Sequence, residues 1–212
     1  MAQRARSRPE KAVVVSDAPG AELLHHLTRL DLSRRALSLP VESEPPRSLP
    51  NFAELWGPEP KLRSLVARWP FPARAWLVSE FVPVSYERTW RSGEASPGLR
   101  MVSTVHRRPD LSRDAFEQYW LGPHAAVAKS YTVPVWNYVQ NVVLEALGHD
   151  SDVDGFVGMH FRTPEELRSR WRDHPRETAR GAEDAANFMA TERSVAITTI
   201  ETVWDDGVGD RR

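Results

Sequence analysis

The chain has 212 residues, 41% hydrophobic and 27% charged, with a formal net charge of −1. This is the balance of a globular protein with enough apolar mass for a core, and it gives neither nucleic acid nor an anionic membrane an electrostatic handle. Cysteine is absent, which excludes disulfides, thiolate catalysis and Cys-ligated metal centres.

In chain order, residues 1–10 read as a floppy arm in which Arg4, Arg6 and Arg8 form a solvated basic cluster. No apolar h-region follows it, and no apolar run approaches the roughly 18 residues of a membrane span, so a cytoplasmic protein is expected. Residues 11–90 then give a strand at Lys11–Val15, a helix at Ala21–Leu30, strands at Ala36–Val41 and Asn51–Trp56, a helix at Lys61–Ala67 and a strand at Ala75–Val84. Ser92-Gly93 and Pro97-Gly98 mark residues 91–98 as a linker.

Residues 99–204 repeat the cycle. Leu99–His106 is a strand, and Ser112 caps a helix carrying Phe116, Tyr119 and Trp120 on one face. Val133–Leu144 reads as a long strand with Pro134 near its start, and Phe156–Phe161 as a third. Thr163, Pro164 and Glu166 open another helix as a capping box. A helical stretch at Pro175–Met189 and a strand at Ser194–Val203 follow, and residues 205–212 form a polar tail. Both passes are βαββαβ. Asn51-Phe52-Ala53-Glu54-Leu55 parallels Gly155-Phe156-Val157-Gly158-Met159, and Pro60 falls where Pro164 does. The expected fold is α+β: tandem ferredoxin-like repeats forming a pseudo-dimeric α/β barrel, closed as a monomer of fused repeats or by a homodimer.

The second half resembles the EthD-domain family of the dimeric α/β-barrel superfamily. The resemblance is carried by Arg107-Arg108-Pro109, by Phe116-Glu117-Gln118-Tyr119-Trp120 with Gly122-Pro123-His124-Ala125, by Tyr138-Val139-Gln140, by Asp154-Gly155-Phe156 and by the stretch from Phe188 to Glu201. The first half keeps the strand order without the Tyr-Trp…His signature and resembles a degenerate copy. The resemblance implies small, hydrophobic, often polyketide-like substrates and cofactor-independent dehydration, decarboxylation or cyclisation.

Among the residues, His124 leads. Pro123 lacks a backbone donor, so the helix either kinks or restarts there. At a restarted N-terminus the dipole would favour the neutral imidazole that a general base requires. The alternative is a histidine that only bonds a carbonyl and holds the kink. Trp120, one turn earlier, is a candidate wall for a flat apolar ligand.

His160 and Tyr138 are the further catalytic candidates, to polarise a substrate oxygen. Alternation places Phe156, Gly158 and His160 on one face of their strand and Val157, Met159 and Phe161 on the other. Tyr119, His106, Trp136, Phe161 and Phe188 are candidate substrate contacts, each with a bland alternative as core or surface residue.

Asp150-Ser151-Asp152-Val153-Asp154-Gly155 imitates the start of a calcium loop, but Phe161 stands where the bidentate Glu belongs. No metal and no cofactor are expected, and no phosphate loop or nucleophile elbow is present. The expected function is a cofactor-independent lyase or cyclase on a small hydrophobic metabolite with His124 as general base. The alternatives are a cofactor-free oxygenase of a phenolic substrate and a non-catalytic binder of a hydrophobic metabolite.

Overall fold

The first strand, β1 (Lys11–Ser16), is buried at all six positions, which a strand achieves only when both faces are covered. In the computed structural model, which describes residues 10–41, 50–130 and 135–205 and leaves out the Trp171 side chain, a closed barrel covers one face and helices the other. Nearly all of the expected arm and tail lies outside the described residues, as do Val133 and Pro134.

The first four strands are β1, β2 (Arg34–Pro40), β3 (Asn51–Trp56) and β4 (Ala73–Val84), with helices α1 (Gly20–Thr28) and α2 (Glu59–Ala67) between them. The second four are β5 (Leu99–Val105), β6 (Asn137–Ala146), β7 (Gly155–Phe161) and β8 (Ala196–Asp205). Between β5 and β6 the chain runs through α3 (Arg113–Tyr119), a π-helical turn (Trp120–His124) and α4 (Ala125–Ser130); α5 (Pro164–Arg172) and α6 (Pro175–Ala185) precede β8. The order around the barrel is β1-β3-β2-β8-β5-β7-β6-β4, every neighbouring pair is antiparallel, and β4 returns to β1.

Each set of four has the ferredoxin-like arrangement, its first strand between its third and fourth. The seams β2·β8 and β4·β6 join the sets, so the pseudo-dimeric α/β barrel closes within one chain.

Local chemistry sets the elements. Ser112 Oγ accepts the Ala115 N–H at 3.2 Å and Thr163 Oγ1 the Glu166 N–H at 3.1 Å, capping α3 and α5. Glu166 reaches back one residue further than a standard capping box, to the Arg162 N–H at 2.7 Å. The strand expected at Val133–Leu144 runs instead over Asn137–Ala146, and the last long helix stops at Ala185 because Phe188 turns inward to full burial. The linker lies along β8: the Gly93 and Ser96 N–H groups donate to the Val203 and Glu201 carbonyls at 2.9 and 2.7 Å. Gly98 has φ +78°, and a Cβ there would stand 1.9 Å from the Phe161 carbonyl oxygen, so glycine is required where the linker enters β5.

The barrel interior has two zones. One is apolar, with Val13, Phe52, Trp76, Val102 and Phe156 among its members. The other is ionic. Lys11 Nζ pairs with Glu54 at 2.6 Å and Glu80 at 2.7 Å, and Arg100 bridges Glu54 and Glu201. Burial disfavours the Glu54 charge, but the Arg100 guanidinium and the Lys11 ammonium hold its carboxyl well below the usual carboxylate range.

Candidate functional site

The second-half helices pack on the outer face of β5, β7 and β6, and a cavity of about 300 Å³ remains between them. Side-chain alternation decides what faces it. Met101 and Val105 of β5, Tyr138 of β6, and Val157 and Met159 of β7 project outward into it, while Trp120, His124 and Phe188 close it from the helical side. The register sets Tyr138 opposite Met159, which puts the phenol on the cavity face.

The helix neither restarts nor breaks at Pro123. A π-turn spanning Trp120–His124 absorbs the proline, since its wider hydrogen-bond spacing tolerates the missing donor. His124 therefore has no fresh helix N-terminus behind it, and the expected dipole contribution does not apply. Burial lowers its pKa below the ordinary 6.5, with Asp184 pulling in the opposite direction.

A hydrogen-bond chain runs through the site. Gln140 Nε2 lies 3.0 Å from the Trp120 carbonyl oxygen, which only accepts, so that atom is the amide NH₂. The same nitrogen donates to the Tyr138 hydroxyl oxygen at 3.1 Å. The Tyr138 hydroxyl lies 3.1 Å from His124 Nε2. Asp184 Oδ2, 2.6 Å from Nδ1, only accepts, so the proton of the neutral ring sits on Nδ1 and leaves Nε2 to accept from Tyr138. The other Asp184 oxygen accepts from Tyr119 Oη at 2.9 Å, and Asn187 Nδ2 donates to that phenol at 3.2 Å. Burial and the Asp184 carboxylate push the Tyr119 phenol up.

His124, Tyr138, Trp120 and Phe188 thus share one cavity, and Tyr119 stands behind His124 on the shared carboxylate. The other expected site residues lie elsewhere. His160 is on the inward face of β7, its Nε2 2.9 Å from the Pro97 carbonyl oxygen and its ring among Tyr86, Trp90 and Trp136. Trp136 belongs to that same cluster. His106 Nδ1 lies 2.9 Å from the Asp152 carbonyl oxygen, and Phe161 is fully buried without lining the cavity.

Asp184 and Gln140 were not anticipated. Gln140 was within reach of the alternation that places Tyr138, whereas nothing in the sequence links Asp184 to a histidine 60 positions earlier. The acidic turn that imitates a calcium loop is spent on arginines, with Asp154 on Arg107 and Asp152 on Arg193. Among the described residues, no three His, Asp or Glu side chains converge to hold a metal ion, and no helix is long and apolar enough to cross a membrane.

Gly155 sets the cavity wall. A Cβ there would lie 2.4 Å from the Trp120 ring and 2.9 Å from the Asn141 carbonyl oxygen. Gly155→Ala is expected to displace Trp120, shift the tryptophan emission and lower stability by about 1–3 kcal/mol in urea denaturation. Unchanged stability and emission would show that the ring has room to move.

Comparison with known proteins bears on the same region. The EthD domain family model matches residues 108–192, a span that holds His124, Tyr138, Gln140, Asp184 and Phe188. No curated protein matches the sequence. A solved structure described as a crystal structure study of an anthrone oxidase-like protein is similar over 95% of each chain, with a TM-score of 0.65 and 12% identity, a likeness of fold.

Proposed function

We propose that the chain is a cofactor-independent enzyme that removes a proton from a small hydrophobic molecule held in the 300 Å³ cavity, with the Asp184–His124 pair as the proton acceptor. The observation that carries this reading is the 2.6 Å contact between His124 Nδ1 and the Asp184 carboxylate. A buried imidazole whose Nδ1–H is bound to a carboxylate keeps a basic Nε2, here against the Tyr138 hydroxyl at the wall of an apolar chamber, and its lowered pKa favours the unprotonated ring at neutral pH. Asp184 orients the ring and stabilises the imidazolium formed, as in other carboxylate–histidine pairs.

Deprotonation next to a carbonyl or on a phenol is the shared first step of dehydration, decarboxylative cyclisation and cofactor-free oxygenation. The lyase or cyclase reading stands first. The EthD match and a fold neighbour described as anthrone oxidase-like also support oxygenation of a phenolic substrate. Oxygen uptake during turnover separates the two, and ligand-induced tryptophan quenching without chemical change points instead to a binder.

The test is proton abstraction from 5-nitrobenzisoxazole, an apolar carbon acid that opens to a coloured nitrophenolate when its C–H is removed. The pH profile has a fixed sign. Burial lowers the His124 pKa, so the rate is expected to be level at neutral pH and to fall in acid as pH passes down through that lowered value. Stability follows the same direction. Burial also lowers the His160 pKa, so below about pH 6.5 the unfolded chain takes up protons that the folded chain refuses. Urea midpoints are expected to fall between pH 7.5 and 5.5; a rate that rises toward acid contradicts the assignment.

A further inference from the structure

Both nitrogens of the His124 ring are engaged in the folded protein, Nδ1 by Asp184 and Nε2 by Tyr138. A substrate hydrogen reaches Nε2 only by displacing a phenol that is 5% exposed and held by Gln140. Tyr138 lines the cavity together with His124, and its hydroxyl is the group bonded to Nε2.

Resting on the reading that Asp184–His124 accepts the proton, we propose that Tyr138 is the catalytic residue that touches the substrate's acidic hydrogen and passes protonation on by relay. In one step the substrate C–H or O–H bond breaks and its electron pair stays on the substrate. The hydrogen forms a new O–H bond at Tyr138, the original Tyr138 O–H bond breaks, and that proton forms an N–H bond at His124 Nε2. One proton has left the substrate and one sits on the imidazole, facing Asp184, while Tyr138 ends as it began.

Gln140 completes the device. Its Nε2–H points at the phenolic oxygen, where negative charge develops midway through the relay, and its second hydrogen is held by the Trp120 carbonyl, so the donor is oriented before reaction begins. A tyrosine acting only to polarise a substrate oxygen would turn its hydrogen into the cavity. Here the hydroxyl lies 3.1 Å from Nε2, the nitrogen that accepts in the neutral ring.

The relay puts an exchangeable hydrogen in flight during removal of a non-exchangeable one, and this is measurable. With 5-nitrobenzisoxazole, the wild-type protein is expected to show a solvent deuterium isotope effect above unity on C–H removal. Tyr138→Phe is expected to lower the rate about 10²-fold while binding of the probe, followed by tryptophan quenching, is retained. Gln140→Leu keeps the relay but loses the oriented donor, so it is expected to slow the reaction less and to keep the isotope effect. A wild-type isotope effect of unity, or a Tyr138→Phe protein as fast as wild type, overturns the relay and assigns the step to His124 directly; the first of these requires no variant to fold. If His124→Ala is as fast as wild type, the underlying base assignment fails, and the relay with it.

Discussion

His124→Ala is expected to lower proton abstraction by about 10²–10⁴-fold, the loss typical of removing a positioned base, without unfolding the protein. The ring already stands at a cavity wall, and Asp184 keeps its hydrogen bond from Tyr119 when the imidazole goes. Asp184→Asn makes the sharper test, because its shape is unchanged. The carboxylate oxygen 2.6 Å from Nδ1 can only accept, which confines the ring proton to Nδ1. An amide in its place can present NH₂ to Nδ1 instead, which moves the ring proton to Nε2 and makes that nitrogen a donor toward the Tyr138 oxygen. In Ser–His–Asp enzymes the corresponding exchange of tautomer costs about 10⁴-fold, and a loss of similar order is expected here. Nitrogen NMR of the imidazole should report the proton moving to Nε2. An Asp184→Asn protein with wild-type rate and an unmoved ring proton would remove the carboxylate from the mechanism.

The fold was readable because it is written in local periodicities. Val13 and Val15 alternate with Ala12 and Val14, Ser112 and Thr163 announce their helices, and Gly98 marks the entry into β5. The site was readable in part, for a definite reason. Alternation within β7 separates His160 from Val157 and Met159, and alternation within β6 separates Tyr138 from Asn137. Nothing in either strand says which face of one meets which face of the other. That is fixed by register, with Tyr138 opposite Met159 and Asn137 opposite His160. Tyr138 therefore goes to the cavity with Val157 and Met159, while His160 goes into the barrel. For His124 the sequence left a kink or a restart open at Pro123 and offered the dipole of a restarted helix as the cause of a neutral ring; in the continuous π-turn it is burial that lowers the pKa.

The same blindness to long-range pairing hid the barrel's ionic zone, and here a large stability effect follows. Lys11, Glu54, Arg100 and Glu201 lie on four different strands, and each alone reads as a polar strand residue facing water. Closure of the barrel buries all four. Arg100 is the keystone. It bridges Glu54 and Glu201, and its guanidinium fills the space over Gly158, where a Cβ would come within 2.5 Å of Nη2.

Arg100→Met keeps much of that volume and removes the cation, leaving two buried carboxylates with Lys11 as the neighbouring cation. The expected cost is about 3–5 kcal/mol, a large share of the roughly 5–15 kcal/mol that holds a typical domain together. The pH dependence identifies the cause. Glu54, held ionised by Arg100 and Lys11, contributes stability above its unfolded pKa that is lost only as pH falls through its lowered folded value. Without Arg100 that pKa rises, so protonation relieves the variant at a pH where the wild type is unaffected. The gap in urea denaturation between the two proteins should narrow from pH 7.5 toward pH 5, whereas a gap that stays constant would mean lost packing rather than stranded charge. Because the cavity lies on the opposite face of the sheet from Arg100, folded Arg100→Met protein should still remove the proton from 5-nitrobenzisoxazole at close to the wild-type rate, separating what holds the barrel closed from what acts outside it.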